Sequence, residues 1–185
     1  MPNWVKNIID CEGDTLSNMY KKNEQGITEF DFNVVLPMPK ELEDNNWQYP
    51  DTRTSEQIKA LKEKYGASDW YHWRIHNWGT KWNGGEVYDK SDSHAEIDTA
   101  WATPEPVIKA ISKQFNTYIH VSYADEDLGS NCGEYTYKNG ELTYRRKFVD
   151  KNGNPDHKAM FDFACNVWGL DPEEERRRME EWENE

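Results

Sequence analysis

Residues 95–123 read AEIDTAWATPEPVIKAISKQFNTYIHVSY, and this stretch decides the fold. Ala95, Ile97, Thr99 and Trp101 alternate with Glu96 and Asp98, the period-two pattern of a strand with one buried face. Thr103 then predicts a helix cap, Pro104 opens the helix, and Val107, Ile108, Ile111 and Phe115 form its apolar stripe. Thr117, Ile119, Val121 and Tyr123 alternate again as a second strand. A strand, a helix and a strand of these lengths make a βαβ unit whose helix must lie on the sheet.

Working outward, Trp4 to Glu12 predicts a strand with Val5, Asn7, Ile9 and Cys11 on one face and Trp4, Lys6 and Ile8 on the other. Apolar residues on both faces predict cover from both sides. Thr15 to Lys22 predicts a short helix on Leu16, Met19 and Tyr20. Phe30 to Leu36 predicts an extended run stopped by Pro37-Met38-Pro39, and the polar stretch 40–53 a loop. Thr54 and Gln57 have capping-box spacing before Ile58, Leu61, Tyr65 and a terminating Gly66. Downstream, Asn139-Gly140 between alternating runs is a strong hairpin signal, because both residues accept the positive φ of a type I′ turn. Asn154-Pro155 predicts the start of a helix on Met160, Phe161, Ala164, Cys165 and Trp168, ended by Gly169. Asp171 to Glu175 opens a last helix with its acids where the macrodipole favours them. The order of elements predicts an α+β fold with a largely antiparallel sheet: one domain over 1–169 with an inserted Trp-rich segment, then an acidic C-terminal helix over 170–185.

The 185 residues carry 35 Asp and Glu against 22 Lys and Arg, a formal net charge of −13. Nine Trp, ten Tyr and six Phe argue against a disordered acidic chain, which would be poor in the residues that bury most area. The charge also argues against direct binding to nucleic acid or to an anionic membrane surface, since both depend on Lys and Arg. No apolar run approaches the ~20 residues of a membrane helix, and the first residues do not resemble a signal peptide. Cys11, Cys132 and Cys165 are odd in number and widely spaced, so neither a disulfide framework nor a metal site is expected, and the chain is placed in a reducing cytoplasm.

Four stretches carry a family resemblance: Pro2-Asn3-Trp4 at the start, Phe32-Asn33-Val34-Val35-Leu36-Pro37-Met38-Pro39, Trp73 to Trp82 ending in Asn-Trp-Gly-Thr-Lys-Trp, and Asp98-Thr99-Ala100-Trp101 before Pro104 and Pro106. Together they resemble the YubB-like ferredoxin-like family of phage- and plasmid-borne proteins, over roughly residues 1 to 125. Val5 stands where that family often has a cysteine. The resemblance implies a ferredoxin-like βαββαβ core, here with an added hairpin and C-terminal helices, and a mobile-element origin. It implies no activity and no cofactor.

Trp70, Tyr71, Trp73, Trp78 and Trp82 concentrate the aromatic residues; they either pin a helix and loop across the sheet or present rings to a ligand. On the second reading the ligand face comprises His72, Trp73, His76, Trp78, Trp82 and Asp98. His72 and His76 are spaced i,i+4, yet lack the glutamate of a metalloprotease motif, and no metal is expected. No GxSxG, P-loop or dinucleotide glycine pattern is present, and no catalytic residue is assigned. Residues 171 to 185 hold eight acids against three arginines. With Asp125, Glu126 and Asp127 in a loop, Glu173, Glu174, Glu175, Glu180 and Glu181 form a candidate acidic contact surface, and Met179 and Trp182 its apolar anchors. The expectation is a non-enzymatic accessory protein that binds and inhibits a host or defence-system protein, its acidity standing in for nucleic acid. The alternative is a small-molecule binder or hydrolase on the Trp-lined face.

Overall fold

The computed structural model describes residues 3–43 and 53–183. Most of the loop expected over 40–53, and the first two residues, lie outside the described part. Strand β1 (Trp4–Cys11) leads through a 3-10 turn (Thr15–Met19) to a two-stranded ribbon, β2 (Tyr20–Lys22) and β3 (Thr28–Phe30). A second 3-10 turn (Phe32–Val34) precedes α1 (Lys40–Glu43), α2 (Ser55–Tyr65) and α3 (Trp70–Asn77). Then follow β4 (Val87–Lys90), β5 (His94–Ala100), α4 (Glu105–Gln114), β6 (Tyr118–Asp125), β7 (Cys132–Lys138), β8 (Glu141–Arg145), α5 (His157–Trp168) and α6 (Pro172–Glu183).

The main sheet has the order β4-β5-β1-β6-β7-β8, every neighbouring pair antiparallel. Because β5 and β6 both run against β1, they are parallel to each other with β1 between them, and α4 makes the crossover. Likewise β1 and β4 flank β5, with α3 on the connection. Two interleaved split βαβ units are the defining feature of a ferredoxin-like sheet. The protein is an α+β protein of that kind, extended at one edge by the β7–β8 meander.

Side-chain alternation sets the layers. Val5, Asn7 and Ile9 of β1, Ile97 and Thr99 of β5, and Ile119 and Val121 of β6 are buried on one face. There Ile9, Ile97, Ile119 and Val121 join Val107, Ile108 and Ile111 of α4 and Trp73 of α3 in the principal core. Along β6 the burial changes parity at Ala124, because α5 covers the opposite face there with Ala164 and Val167, beside Ile8 and Phe163. The expected cover of β1 from both sides is thus supplied by α4 on one face and α5 on the other.

Several local expectations hold. Thr54 and Gln57 form the reciprocal capping box, Gly66 ends α2 in the left-handed region, and Asn139 and Gly140 both have positive φ in the β7–β8 turn. Others are corrected. The helix expected over Thr15–Lys22 is a 3-10 turn followed by a strand. The extended run expected over Phe30–Leu36 ends at Phe30, because the Asp31 carboxylate accepts the Asn33 backbone N–H at 2.9 Å and caps a turn instead. Thr103 is not the cap of α4; Pro104 holds that position, and the Thr103 hydroxyl hydrogen-bonds the buried Tyr135 hydroxyl at 2.9 Å. Asp156, not Asn154, caps α5 by accepting from the Ala159 N–H. Trp101 leaves its strand, adopting φ 68° at 42% exposure.

Asp31 is also where the ribbon is tied to the rest of the chain. Its carboxylate accepts from Lys21, from Asn33 Nδ2 at 2.8 Å and from Asn83 Nδ2 at 2.9 Å. Burial alone would raise its pKa, but the Lys21, Asn83 and Asn33 donors prevail and lower it from 3.8 to about 2. A depressed carboxylate stabilises fully above its unfolded pKa, and the contribution disappears as pH falls toward the folded value. That shift corresponds to roughly 2 kcal/mol at most, since Lys21 is half exposed and screened. Asp31→Asn is therefore expected to lose up to about that much stability at neutral pH and to flatten the acid limb of the stability profile between roughly pH 4 and 2, read by denaturant melts across pH.

Candidate functional site

The sheet face that α5 covers over β6 and β7 continues past it as a polar strip. Lys6 Nζ lies 2.7 Å from Glu96 Oε2, His94 Nδ1 lies 2.7 Å from Asp10 Oδ1, and His120 Nδ1 lies 3.0 Å from Thr136 Oγ1. At the far end of this strip, beside the edge strand β4, the chain leaves a cleft of about 440 Å³, lined among others by Trp4, Trp82, Gly84, Glu86, Tyr88 and Asp98.

The Asn77 to Trp82 hexapeptide builds one wall of this cleft. Trp78 is sunk in the core, and its indole Nε1–H donates to the Leu36 carbonyl at 2.9 Å. Gly79 turns the chain at φ +80° against Pro106, where only glycine fits without strain. The buried Thr80 hydroxyl donates to the Ala100 carbonyl at 2.7 Å, fastening the loop to the end of β5. The Lys81 ammonium sits 4.8 Å over the Trp82 ring and 5.1 Å over that of Trp101. Trp82 then meets Trp4 with ring centroids 5.5 Å apart. Asn83 holds the return: its side-chain oxygen accepts the Phe32 N–H at 2.7 Å and the Gly84 N–H at 3.0 Å.

The floor comes from the strands. Trp4 lies opposite Ala100, and Lys6 opposite Asp98, in the β1–β5 register. The Tyr88 hydroxyl stands near the Asp98 carboxyl, and Asp98 Oδ1 is buried and receives no donor. Burial pushes the Asp98 carboxyl above its ordinary range, the Tyr88 hydroxyl and Lys6 pull it back, and Glu96 and Glu126 push it further up.

The candidate ligand face is thereby divided. Trp82 and Asp98 meet in the cleft. Trp73 and Trp78 are core residues, edge-to-face at 5.7 Å, with the Arg74 guanidinium over Trp78. His72 Nδ1 lies 2.9 Å from the Asp69 carboxylate, whose pKa burial would raise but the His72 and Ser68 hydrogen bonds lower. His76 is exposed on α3. Trp4, Glu86 and Tyr88 complete the cleft, and none of them belongs to the ligand face expected from the sequence; a Trp on the face of β1 that carries Lys6 is the signal that points to the first. Among the described residues Asp89, His94 and Glu96 bring ligand atoms close enough together for a cation, but Glu96 is already paired to Lys6. The cysteine thiols are all raised by burial, Cys132 to about 11, which leaves no activated thiolate.

The acidic candidates are also separated. Asp125 is buried and accepts from the Asp127 N–H at 2.9 Å, forming the turn after β6. Glu126 Oε1 accepts the Trp4 N–H at 3.1 Å. On α6, Glu173 pairs with Arg176, and Glu174 and Glu175 pair with Arg178, while Arg176 also reaches Asp162 on α5. Glu180 and Glu181 lie on the exposed part of the helix. Met179 and Trp182 do not fold back onto the protein: they are 52% and 85% exposed and line a shallow groove of about 430 Å³ with Glu175 and Arg178. No helix among the described residues is long and apolar enough to cross a membrane.

Fold and site together define a ferredoxin-like α+β domain with an aromatic cleft on its sheet edge. Residues 77–152, from the hexapeptide through the hairpin, match the family described as the ferredoxin-like domain in Api92-like protein. The chain is similar to the crystal structure of the protein api92 from Yersinia pseudotuberculosis, at 15% identity and a TM-score of 0.45, over 65% of this chain and 40% of that one. The chain thus corresponds to well under half of that relative's length. No curated protein matches. The comparisons name a fold and a protein, and neither names an activity.

Proposed function

We propose that this is a non-enzymatic accessory protein of a mobile element, which binds a basic host or defence-system protein through the outward face of α6 and inhibits it by covering that surface. The observation that carries the reading is Trp182, an 85% exposed indole one helical turn from exposed Met179 on a helix anchored at its other side by Arg176 to Asp162. An indole left in water at this exposure is a preferred anchor for a partner. The net charge of −13 supplies attraction toward a basic surface.

The internal pairing of Glu173, Glu174 and Glu175 moves the weight of the contact from charge to the apolar pair. Capture from host lysate by the tagged wild type and by Trp182→Ala, at low and high salt, tests this. We expect a stoichiometric partner whose recovery falls at least about tenfold with Trp182→Ala, and more modestly with salt. Helicity of the variant should be unchanged by circular dichroism, since Trp182 touches no core. A partner recovered equally by Trp182→Ala overturns the reading.

A further inference from the structure

We propose that the cleft between Trp4, Trp82 and Tyr88 binds a small primary ammonium ion, whose N–H groups pair with the Asp98 carboxylate while its carbon chain lies on the two indoles. This site is independent of the contact proposed on α6.

Four observations converge on that chemistry. The volume, about 440 Å³, suits a small organic molecule and exceeds what an ion or a few waters need. Its walls are aromatic: Trp4 and Trp82 meet at 5.5 Å, and Tyr88 stands 62% exposed at the rim. Such faces attract cations through their quadrupole, and Trp82 already carries the Lys81 ammonium at 4.8 Å. Asp98 lines the cleft and its carboxylate has no donor on Oδ1, so a ligand that brings N–H groups is favoured.

The surrounding charge has the matching sign. Facing Asp98 are Glu86 and Tyr88 from β4 and its approach, Glu96 on its own strand, Glu126 from the turn after β6, and Lys6 from β1. Lys6 is committed to Glu96 at 2.7 Å and the Lys81 ammonium lies over Trp82, so the four carboxylates, Asp98 included, outnumber the two cations and an anionic ligand is disfavoured. Gly84 and Gly85 also border the cleft, so this part of its lining is backbone, with no side chain filling the space.

The hydrogen-bond requirement separates classes of amine. A quaternary ammonium has no N–H to give to the Asp98 carboxylate, whereas a primary ammonium has three. The test is a titration of the isotopically labelled full chain with butylammonium, tetramethylammonium and butyrate chloride or sodium salts, following the indole N–H resonances of Trp4 and Trp82. Butylammonium is expected to shift both, tetramethylammonium to bind about tenfold more weakly, and butyrate to leave them unmoved. Asp98→Asn keeps the shape and removes the charge, and should weaken butylammonium about tenfold or more; Trp82→Ala should weaken it several-fold. Affinity for butylammonium should fall as pH is lowered through the Asp98 titration, because protonation removes the acceptor charge. A thermal melt of each variant separates loss of binding from loss of fold. Equal affinity for the two amines, or an Asp98→Asn variant that binds as the wild type does, overturns the proposal, as does the absence of any indole shift. Nα-acetyl-lysine methyl amide binding tenfold tighter than butylammonium would overturn the assignment to a free small amine and place the ammonium on a protein.

Discussion

Trp78→Ala is expected to lower the stability of the fold by about 4 kcal/mol, a drop in melting temperature of roughly 10 °C for a domain of this size. Trp78 is fully buried and stands at the junction of three separate segments. Its ring meets Phe32 at 5.6 Å and Trp73 at 5.7 Å, both edge-to-face, and the Arg74 guanidinium lies 5.0 Å over it. Alanine would remove the largest fully buried side chain among the described residues, leave a cavity that the neighbouring sheet and helices can close only in part, and orphan the Leu36 carbonyl. Trp78→Phe separates these terms: it retains much of the volume but loses the indole N–H, so an intermediate loss of about 2 kcal/mol is expected. Chemical denaturation with an unchanged m-value would confirm that the loss is one of stability and not of native compactness. A Trp78→Ala protein as stable as the wild type would mean that this ring is not the keystone of the loop that it forms in the structure.

The contrast between Trp78 and Trp82 shows what local sequence can and cannot supply. The hexapeptide marks both as aromatic, four residues apart, yet one is core and the other a cleft wall. The difference arises at Gly79, whose left-handed φ turns the chain after α3, and at Thr80, whose hydroxyl ties it to Ala100. Neither tertiary contact has a local pattern. Where burial follows a simple period, the reading succeeds: the alternation in β1, β5 and β6, the Asn139-Gly140 turn and the Thr54 capping box all appear as expected. It fails between residues 15 and 34, where short-range Asx bonding by Asp31 competes with β propensity and wins. The cleft itself draws Trp4, Trp82, Tyr88 and Asp98 from four places in the chain. They meet because β1 and β5 pair with Trp4 opposite Ala100, a register that alternation constrains only as to face.

The same geometry bears on why the acidic composition alone was an insufficient guide to a binding surface. Of the acids singled out, Asp125 is consumed by a buried turn, and Glu173, Glu174 and Glu175 are each paired with an arginine of their own helix. Exposed ion pairs of this kind contribute little to stability, but they do reduce the unbalanced charge that a partner would meet. What distinguishes α6 from an ordinary solvated helix is therefore the exposed Met179 and Trp182, and what distinguishes the cleft is a partly unpaired carboxylate in a lining that holds Trp4, Trp82 and Tyr88. Trp182, at 85%, is far more exposed than Trp101 at 42%, and Asp98 Oδ1 shares its lack of a donor only with Asn7 Oδ1 among the buried side-chain atoms of the described residues.

Gly84→Ala is expected to destabilise the protein by about 2–3 kcal/mol and to disorganise the cleft at the same time. A Cβ built at Gly84 would stand 2.5 Å from the Phe30 carbonyl oxygen and 2.9 Å from the Phe32 ring. The first is backbone and the second belongs to a fully buried side chain, so neither can yield as an exposed lysine would. The chain must move instead, and the move is costly because this segment is held on both sides. Phe30 N–H donates to the Gly85 carbonyl at 2.8 Å, and Asn83 is bonded to Phe32 and to Asp31. Relieving the contact pulls on all of these and shifts Trp82, two residues upstream, away from Trp4. The expected signature is therefore double: a lower melting temperature, and altered indole N–H resonances of Trp4 and Trp82 with weaker response to butylammonium. Gly85→Ala provides the comparison. Its Cβ would meet nothing closer than 4.0 Å, so any cost comes from its φ of +65° alone, about 1 kcal/mol, without displacement of Trp82. If Gly84→Ala and Gly85→Ala lose equal stability, the close approach to Phe30 is not what fixes the loop. If Gly84→Ala is destabilised while the Trp4 and Trp82 resonances stay in place, the wall of the cleft is held by Thr80 and Lys81 instead of by the return through Asn83 and Gly84.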